Sequence, residues 1–204
     1  MLIAEIISKT LYEGVYDPHR FKAIFMAGTP GSGKTYISKK LFSNTGLKSI
    51  NIDDLVELRI RKTGKQPDYA TEVEKELYPK LRSRFSYYIE NGMGLLIDVT
   101  GGNFTSVKNK IDKLKNAGYE IAMIYVESPK EEAWKRVLKR KEKTGRFVEK
   151  EFFDKTYENI KKNIPIYKSI FGKNFFHIIN SEKETNYHSE SIRIYKFLNK
   201  EKFN

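Results

Sequence analysis

The sequence predicts an α/β fold in which a doubly wound, five-stranded parallel sheet, ordered 2-3-1-4-5, is wrapped by helices. Three observations carry this. Short apolar runs alternate with longer segments of helical period, the pattern of a parallel sheet covered by helices. A glycine-rich turn joins the first apolar run directly to a helical pattern. The length of 204 residues, 39% of them hydrophobic, suffices for one globular core and is too short for two.

The strands are expected at Phe21 to Ala27, Lys48 to Ile52, Gly94 to Val99, Glu120 to Val126 and Phe175 to Ile179. A helix from about Gly33 to Phe42 separates the first two. Leu55 to Gln66 read as a polar, glycine-containing segment, followed by a helix that reaches Ile89 and is kinked at Pro79. Val107, Ile111 and Leu114 form the apolar stripe of a helix between strands three and four. Ser128-Pro129-Lys130-Glu131 has the form of a capping box with proline at the first helical position, opening a helix that carries Ala133, Trp134, Val137 and Leu138. A long helix from near Glu149 spaces Phe152, Phe153, Tyr157, Ile160 and Ile164 before Pro165 stops it. Ile192, Tyr195 and Leu198 mark a last helix. The whole reads as one domain, with a helical N-terminal extension (1–20), a lid (135–149) and a C-terminal helix (181–204).

Composition narrows the function. Thirteen glycines and six prolines, dispersed, exclude collagen-like and low-complexity classes. No run approaches the ~18 apolar residues of a membrane helix, and no basic residue precedes Met1-Leu2-Ile3-Ala4, so a soluble, unsecreted protein is expected. The absence of cysteine removes disulfides, zinc–thiolate sites and thiol nucleophiles, and suits a reducing compartment, the cytoplasm. The net charge of +12 favours an anionic partner, a nucleotide, a nucleotide-sugar or a nucleic acid. The excess is uneven: residues 1–102 carry 15 basic and 12 acidic side chains, residues 103–204 carry 23 and 14. Solvated lysines on helix faces account for it as well as a nucleic-acid groove does.

Directly after the first strand stands Gly28-Thr29-Pro30-Gly31-Ser32-Gly33-Lys34-Thr35, a full G-x-x-x-x-G-K-[ST] match in strand–loop–helix context. Such a loop turns backbone N–H groups and a helix N-terminus toward phosphate oxygens. Lys34 adds charge at the β and γ phosphates of ATP or GTP, and the Thr35 hydroxyl is placed for Mg²⁺. The fold is therefore of the P-loop NTPase and kinase type. A motor needs further subdomains, and no Asn-Lys-x-Asp guanine-reading motif follows a strand.

Three further features point to phosphoryl transfer. Asp53-Asp54 ends the second strand, where a carboxylate can take the proton of an attacking hydroxyl. Both residues also suit a helix N-cap, and Asp53 is assigned the base and Asp54 the cap. Asp98 closes the apolar run Leu95-Leu96-Ile97, either as a metal-holding acid or, together with Thr100, as a contact for the phosphate acceptor. Between Lys135 and Arg146 lie seven basic residues and only Glu142 to oppose them. These form a short basic lid whose arginines would stabilise the transferring group, although Arg136 equally suits an exposed basic helix end.

With phosphate loop, acidic pair, acid-x-Thr and arginine lid in this order, the chain from about Phe21 to Phe171 resembles the zeta-toxin-like P-loop kinases and, more distantly, a bacteriophage polynucleotide 5′-kinase. The resemblance implies Asp53 as general base, Asp98 and Thr100 as acceptor contacts where zeta toxins carry Glu-Gly-Thr, and Arg140 and Arg146 at the γ-phosphate. It departs in three places: the arginines are closer together, Asp98 replaces Glu, and Val56 stands where the polynucleotide kinase has an arginine. Arg59, one turn on, is the candidate replacement. The implied activity is transfer of a γ-phosphoryl to a hydroxyl of a small acceptor, a nucleotide-sugar. The alternatives are a polynucleotide 5′-hydroxyl kinase and a non-catalytic nucleotide-gated module. An antitoxin-like protein partner is compatible with the resemblance and has no signature in the chain.

Overall fold

The computed structural model describes residues 19–65, 67–144, 148–183 and 185–199. Five parallel strands, β1 (Lys22–Ala27), β2 (Lys48–Ile50), β3 (Leu95–Asp98), β4 (Glu120–Glu127) and β5 (Phe175–Ile179), lie in the order β2-β3-β1-β4-β5. Around them run α1 (Lys34–Phe42), α2 (Ile52–Thr63), a π-helix (Tyr69–Leu77), α3 (Tyr78–Glu90), α4 (Phe104–Asn116), α5 (Lys130–Thr144), α6 (Lys150–Phe171) and α7 (Tyr187–Asn199). Strand order and the positions of all five strands agree with the sequence reading. The second strand ends two residues early because Asn51 leaves the sheet to cap α2.

Every residue of β1 is buried, as expected of a central strand covered on both faces. Its side chains alternate between two cores. Ala23, Phe25 and Ala27 pack with α3, α4 and α6, through Phe85, Ile111, Ile160 and Phe171. Ile24 and Met26 pack with α1 and α7, through Ile37, Phe42, Ile194 and Phe197. A third, small cluster of Leu55, Val73 and Leu77 lies away from the sheet, between α2 and the π-helix.

Four expectations are corrected. The polar segment after Leu55 is largely the helix α2, capped by Asn51, whose side chain accepts from the Asp53 N–H at 3.0 Å, and closed by Gly64 in the left-handed region. Leu55 is its only buried residue, so no apolar stripe announces it. At Pro79 the chain passes from π-helix to α-helix, with proline in the first turn of α3, where its missing N–H costs little. Pro165 does not stop α6. The proline ring faces solvent, and beyond it Tyr167 and Phe171 are buried in the core. A helical proline costs about 3 kcal/mol, and each buried aromatic returns about 2 kcal/mol or more, which carries the helix six residues further. In α7 the buried face is Ile194, Phe197 and Leu198, while Ile192 and Tyr195 are exposed, because Phe197 takes the core position against Phe176.

Among the described residues, no helix is long and apolar enough to cross a membrane.

Candidate active site

The carboxyl ends of the strands bring the candidate residues to one edge of the sheet. The loop from Gly28 to Thr35 leaves β1 and enters α1 through Gly33, which is left-handed (φ 96°) and offers no side-chain cap. The N–H groups of the first helical turn therefore stay open to a ligand. A Cβ at Gly33 would overlap the Asn180 amide, and one at Gly31 (φ 79°) would overlap the Ala133 carbonyl oxygen. Glycine is required at both positions by backbone angle and by close approach. Thr29 and Ser32 are buried, and the Ser32 N–H closes the turn on the Thr29 carbonyl at 3.1 Å. Pro30, between them, is half-buried. The Lys34 ammonium folds back over the loop and donates to the Gly28 carbonyl at 2.7 Å and the Thr29 carbonyl at 3.4 Å. Phosphate oxygens entering the loop can take over these donors. Thr35 is exposed at the start of α1.

Asp98 is half-buried at the end of β3, in register with Met26 of β1. Beyond it the Val99 N–H donates to the Met26 carbonyl, and the Gly28 N–H donates to the Thr100 carbonyl at 3.2 Å. Thr100 thus borders the phosphate loop. Asp53 is half-buried in the first turn of α2, while Asp54 is exposed and accepts from the Ser49 hydroxyl at 2.6 Å. The cap of α2 is therefore Asn51 and not Asp54: the Asn51 side chain reaches the helix N–H groups from the residue that has already left the sheet.

Arg140 is half-buried on α5; Arg146 lies outside the described residues. Arg136, one turn before Arg140, is no free helix end. Its Nη1 donates to the Ser128 hydroxyl at 2.7 Å and to the carbonyls of Asn180 (3.3 Å) and Gly31 (3.4 Å), and its Nη2 pairs with Glu132 at 3.0 Å. Ser128, expected as a capping residue, instead donates to the Asn180 carbonyl at 2.7 Å. Asn180 completes the network by donating to the Ser32 carbonyl at 2.7 Å. Arg136 and Asn180 were not legible as loop supports, since Arg136 meets Gly31 across 105 residues and Asn180 meets Ser32 across 148. The one available signal is that Asn180 follows a strand at the ligand-facing edge.

Arg59 lies on α2 and pairs with Glu72 of the π-helix at 2.6 Å. The Arg59 hydrogen bond, helped by the Asp68 N–H, holds the Glu72 carboxyl below its ordinary range, and the same bond raises Arg59. The candidate acceptor contact is thus anchored in an ion pair within its own lobe.

The zeta toxin family model matches residues 10–192 of the chain. The chain belongs to the zeta toxin family. It is also 29% identical, over 154 residues, to adenylate kinase isoenzyme 1 of Sus scrofa, covering 72% of this chain and 75% of that protein. Among solved structures, the PezAT toxin–antitoxin system of Streptococcus pneumoniae contains a chain superposing with a TM-score of 0.58 at 22% identity, over 85% of this chain and 76% of the other. A chain of the Pnkp1/Rnl/Hen1 RNA repair complex superposes with a TM-score of 0.60 at 22% identity, over 73% of this chain. Our chain spans 47% of that one, about half its length. These two likenesses are of fold. With the family and the phosphate loop together, the zeta toxin homologue is a P-loop phosphotransferase.

Proposed function

We propose that this protein is a kinase, dependent on Mg²⁺ and on ATP or GTP, that transfers the γ-phosphoryl to a hydroxyl of a small acceptor, a nucleotide-sugar first. The observation that carries it is the spacing across the sheet. Only β3 separates β2 from β1, so Asp53 follows a strand end two strand spacings, roughly 10 Å, from the one that feeds the phosphate loop. An acceptor hydroxyl fits between a carboxylate on one side and a γ-phosphate on the other.

In this reading the loop amides and Lys34 hold the β and γ phosphates. Asp53 accepts the proton of the acceptor hydroxyl, whose oxygen bonds to the γ-phosphorus as the bridge to the β-phosphate breaks, leaving the nucleoside diphosphate. Arg140 and Arg146 balance charge on the transferring group, and closure of their lid excludes water. Asp98 and Thr100 border the acceptor, with Arg59 beyond them. The Thr35 hydroxyl and Asp98 carboxylate are hard oxygen donors that suit Mg²⁺, which would neutralise charge on the bridging phosphates. Among the described residues no group of three or more His, Asp or Glu could hold a metal, so triphosphate oxygens and water would supply its remaining ligands.

A second reading, a polynucleotide 5′-hydroxyl kinase, draws on the basic α5 and on the likeness to the RNA repair complex. Labelled γ-phosphate transfer, screened over UDP-sugars and 5′-hydroxyl oligonucleotides, tests both. Transfer to a UDP-sugar is the expected result. A tight oligonucleotide complex that survives physiological salt and becomes phosphorylated would replace the first reading by the second.

A further inference from the structure

The loop Thr100-Gly101-Gly102 is held on both sides. The Gly28 N–H of the phosphate loop donates to the Thr100 carbonyl at 3.2 Å. From the opposite side α6 presents one face, Thr156, Ile160, Asn163 and Tyr167, at the four-three-four spacing of a helix stripe. Ile160 packs closely on Gly101, where a Cβ would lie 3.0 Å from it, and Thr156 is in contact range of Gly102, where a Cβ would lie 3.4 Å away. Asn163 Nδ2 donates to the Gly101 carbonyl at 3.0 Å and the Gly102 carbonyl at 3.1 Å. The Tyr167 hydroxyl, fully buried, donates to the Gly101 carbonyl at 2.9 Å, and its ring packs on Phe104 at 5.8 Å. Burial pushes the Tyr167 hydroxyl up to about 12, so it remains a donor throughout the neutral range.

We propose that Asn163 and Tyr167 are positioning residues for phosphoryl transfer: by fixing the Gly101 and Gly102 carbonyls they hold Thr100, and the Asp98 strand end behind it, at a set distance from the phosphate loop. The inference rests on the acceptor reading of Asp98 and Thr100. Three donor bonds on two adjacent carbonyls come from one face of α6, a helix fixed in the main core by Ile160 and Phe171. The acceptor loop is thereby attached to a rigid element, which keeps it in register with the phosphate loop.

The test uses the full-length protein carrying Asn163→Leu and Tyr167→Phe, separately and together. Tyr167→Phe keeps the ring and removes the hydroxyl, and Asn163→Leu keeps the branched shape in a somewhat larger side chain and removes the amide with its donors. Three quantities are measured: amide exchange of the 98–104 peptide, ATP affinity by calorimetry, and steady-state transfer with UDP-sugar as acceptor. The expected result for the double variant is exchange in 98–104 faster by tenfold or more, an acceptor KM raised with kcat lowered by roughly tenfold, and an ATP Kd within twofold of the original. Melting lowered with exchange and transfer unchanged would make the pair merely structural and overturn the proposal. So would an ATP Kd weakened as much as transfer, which would place their effect on the phosphate loop. If the unaltered protein transfers to no UDP-sugar or oligonucleotide, the acceptor reading fails by itself. The clamp is then judged on exchange and on ATP hydrolysis by water, and unchanged values in both would overturn it.

Discussion

The phosphate side of the site and the lobe from 52 to 90 are built in opposite ways. The phosphate loop is immobilised by central strands, by α5 through Ala133 and Arg136, and by Asn180 after β5. The lobe has a satellite cluster with three buried residues, is tied internally by the Arg59–Glu72 pair, and joins the main core through Phe85 and Ile89 of α3. Charge divides the same way. Residues 52–90 carry eight basic and eight acidic side chains, whereas α5 carries seven and three. Triphosphate recognition needs a fixed cradle and positive charge, and both are concentrated on one side. On the proposed function the charge-balanced lobe would meet the acceptor, and its balance argues against a polyanion bound through it.

Substitutions on the two sides should therefore separate. The largest effect is expected from Lys34→Ala, which abolishes transfer and weakens ATP binding without unfolding; calorimetry paired with a thermal melt reads both, and unchanged ATP affinity would break the comparison. Asp53→Asn should leave ATP binding intact while single-turnover transfer falls by roughly 10²–10⁴. Asp54→Asn should be nearly silent; if it is the more damaging change, the base is misassigned. Arg140→Ala is expected to lower kcat by about 10² with little change in ground-state ATP affinity, since it engages charge that develops during transfer. On the lobe side, Arg59→Ala should raise acceptor KM by about tenfold and leave ATP KM alone, the size of one charged hydrogen bond. The smallest effect belongs to Asn51→Ala, a lost cap worth about 1 kcal/mol and a melting shift of roughly 2–4 °C, restored by Asn51→Asp.

Legibility in the sequence follows the same division. The strands and the glycine-rich loop were readable because each rests on a local pattern, an apolar run or fixed residue types in a short window, and the strand order followed from the fold type that the loop signals. Asp98 at the end of β3 was visible for the same reason, whereas Asp53, expected at the end of the second strand, stands in the first turn of α2. The helix α2 was not, since a helix with Leu55 alone buried carries no stripe. The passage of α6 through Pro165 depends on Tyr167 and Phe171 finding the core, a tertiary gain that local propensity does not register. The role of Arg136 depends on Ser128, Asn180 and Gly31 meeting at one edge of the sheet, which only the folded chain arranges. The helix rule left Arg136 suiting a solvent-facing end as well as the lid, and what decides its place is contact, not propensity.

The interposed strand β3 has a consequence for how such a protein can diversify. Strand separation in a parallel sheet is set by backbone hydrogen bonds, so no side-chain exchange in the lobe alters the span between the end of β2 and the loop after β1. On the proposed function the reacting distance behaves as an inherited constant, while Arg59 sits on a lobe that has a small interior of its own besides its share of the main core. Insertions, deletions and new side chains between residues 60 and 77, beyond Asp53 and before the core-packed α3, leave that span unchanged. A change of substrate in this architecture is a change of attachment, made on a ruler that stays the same length.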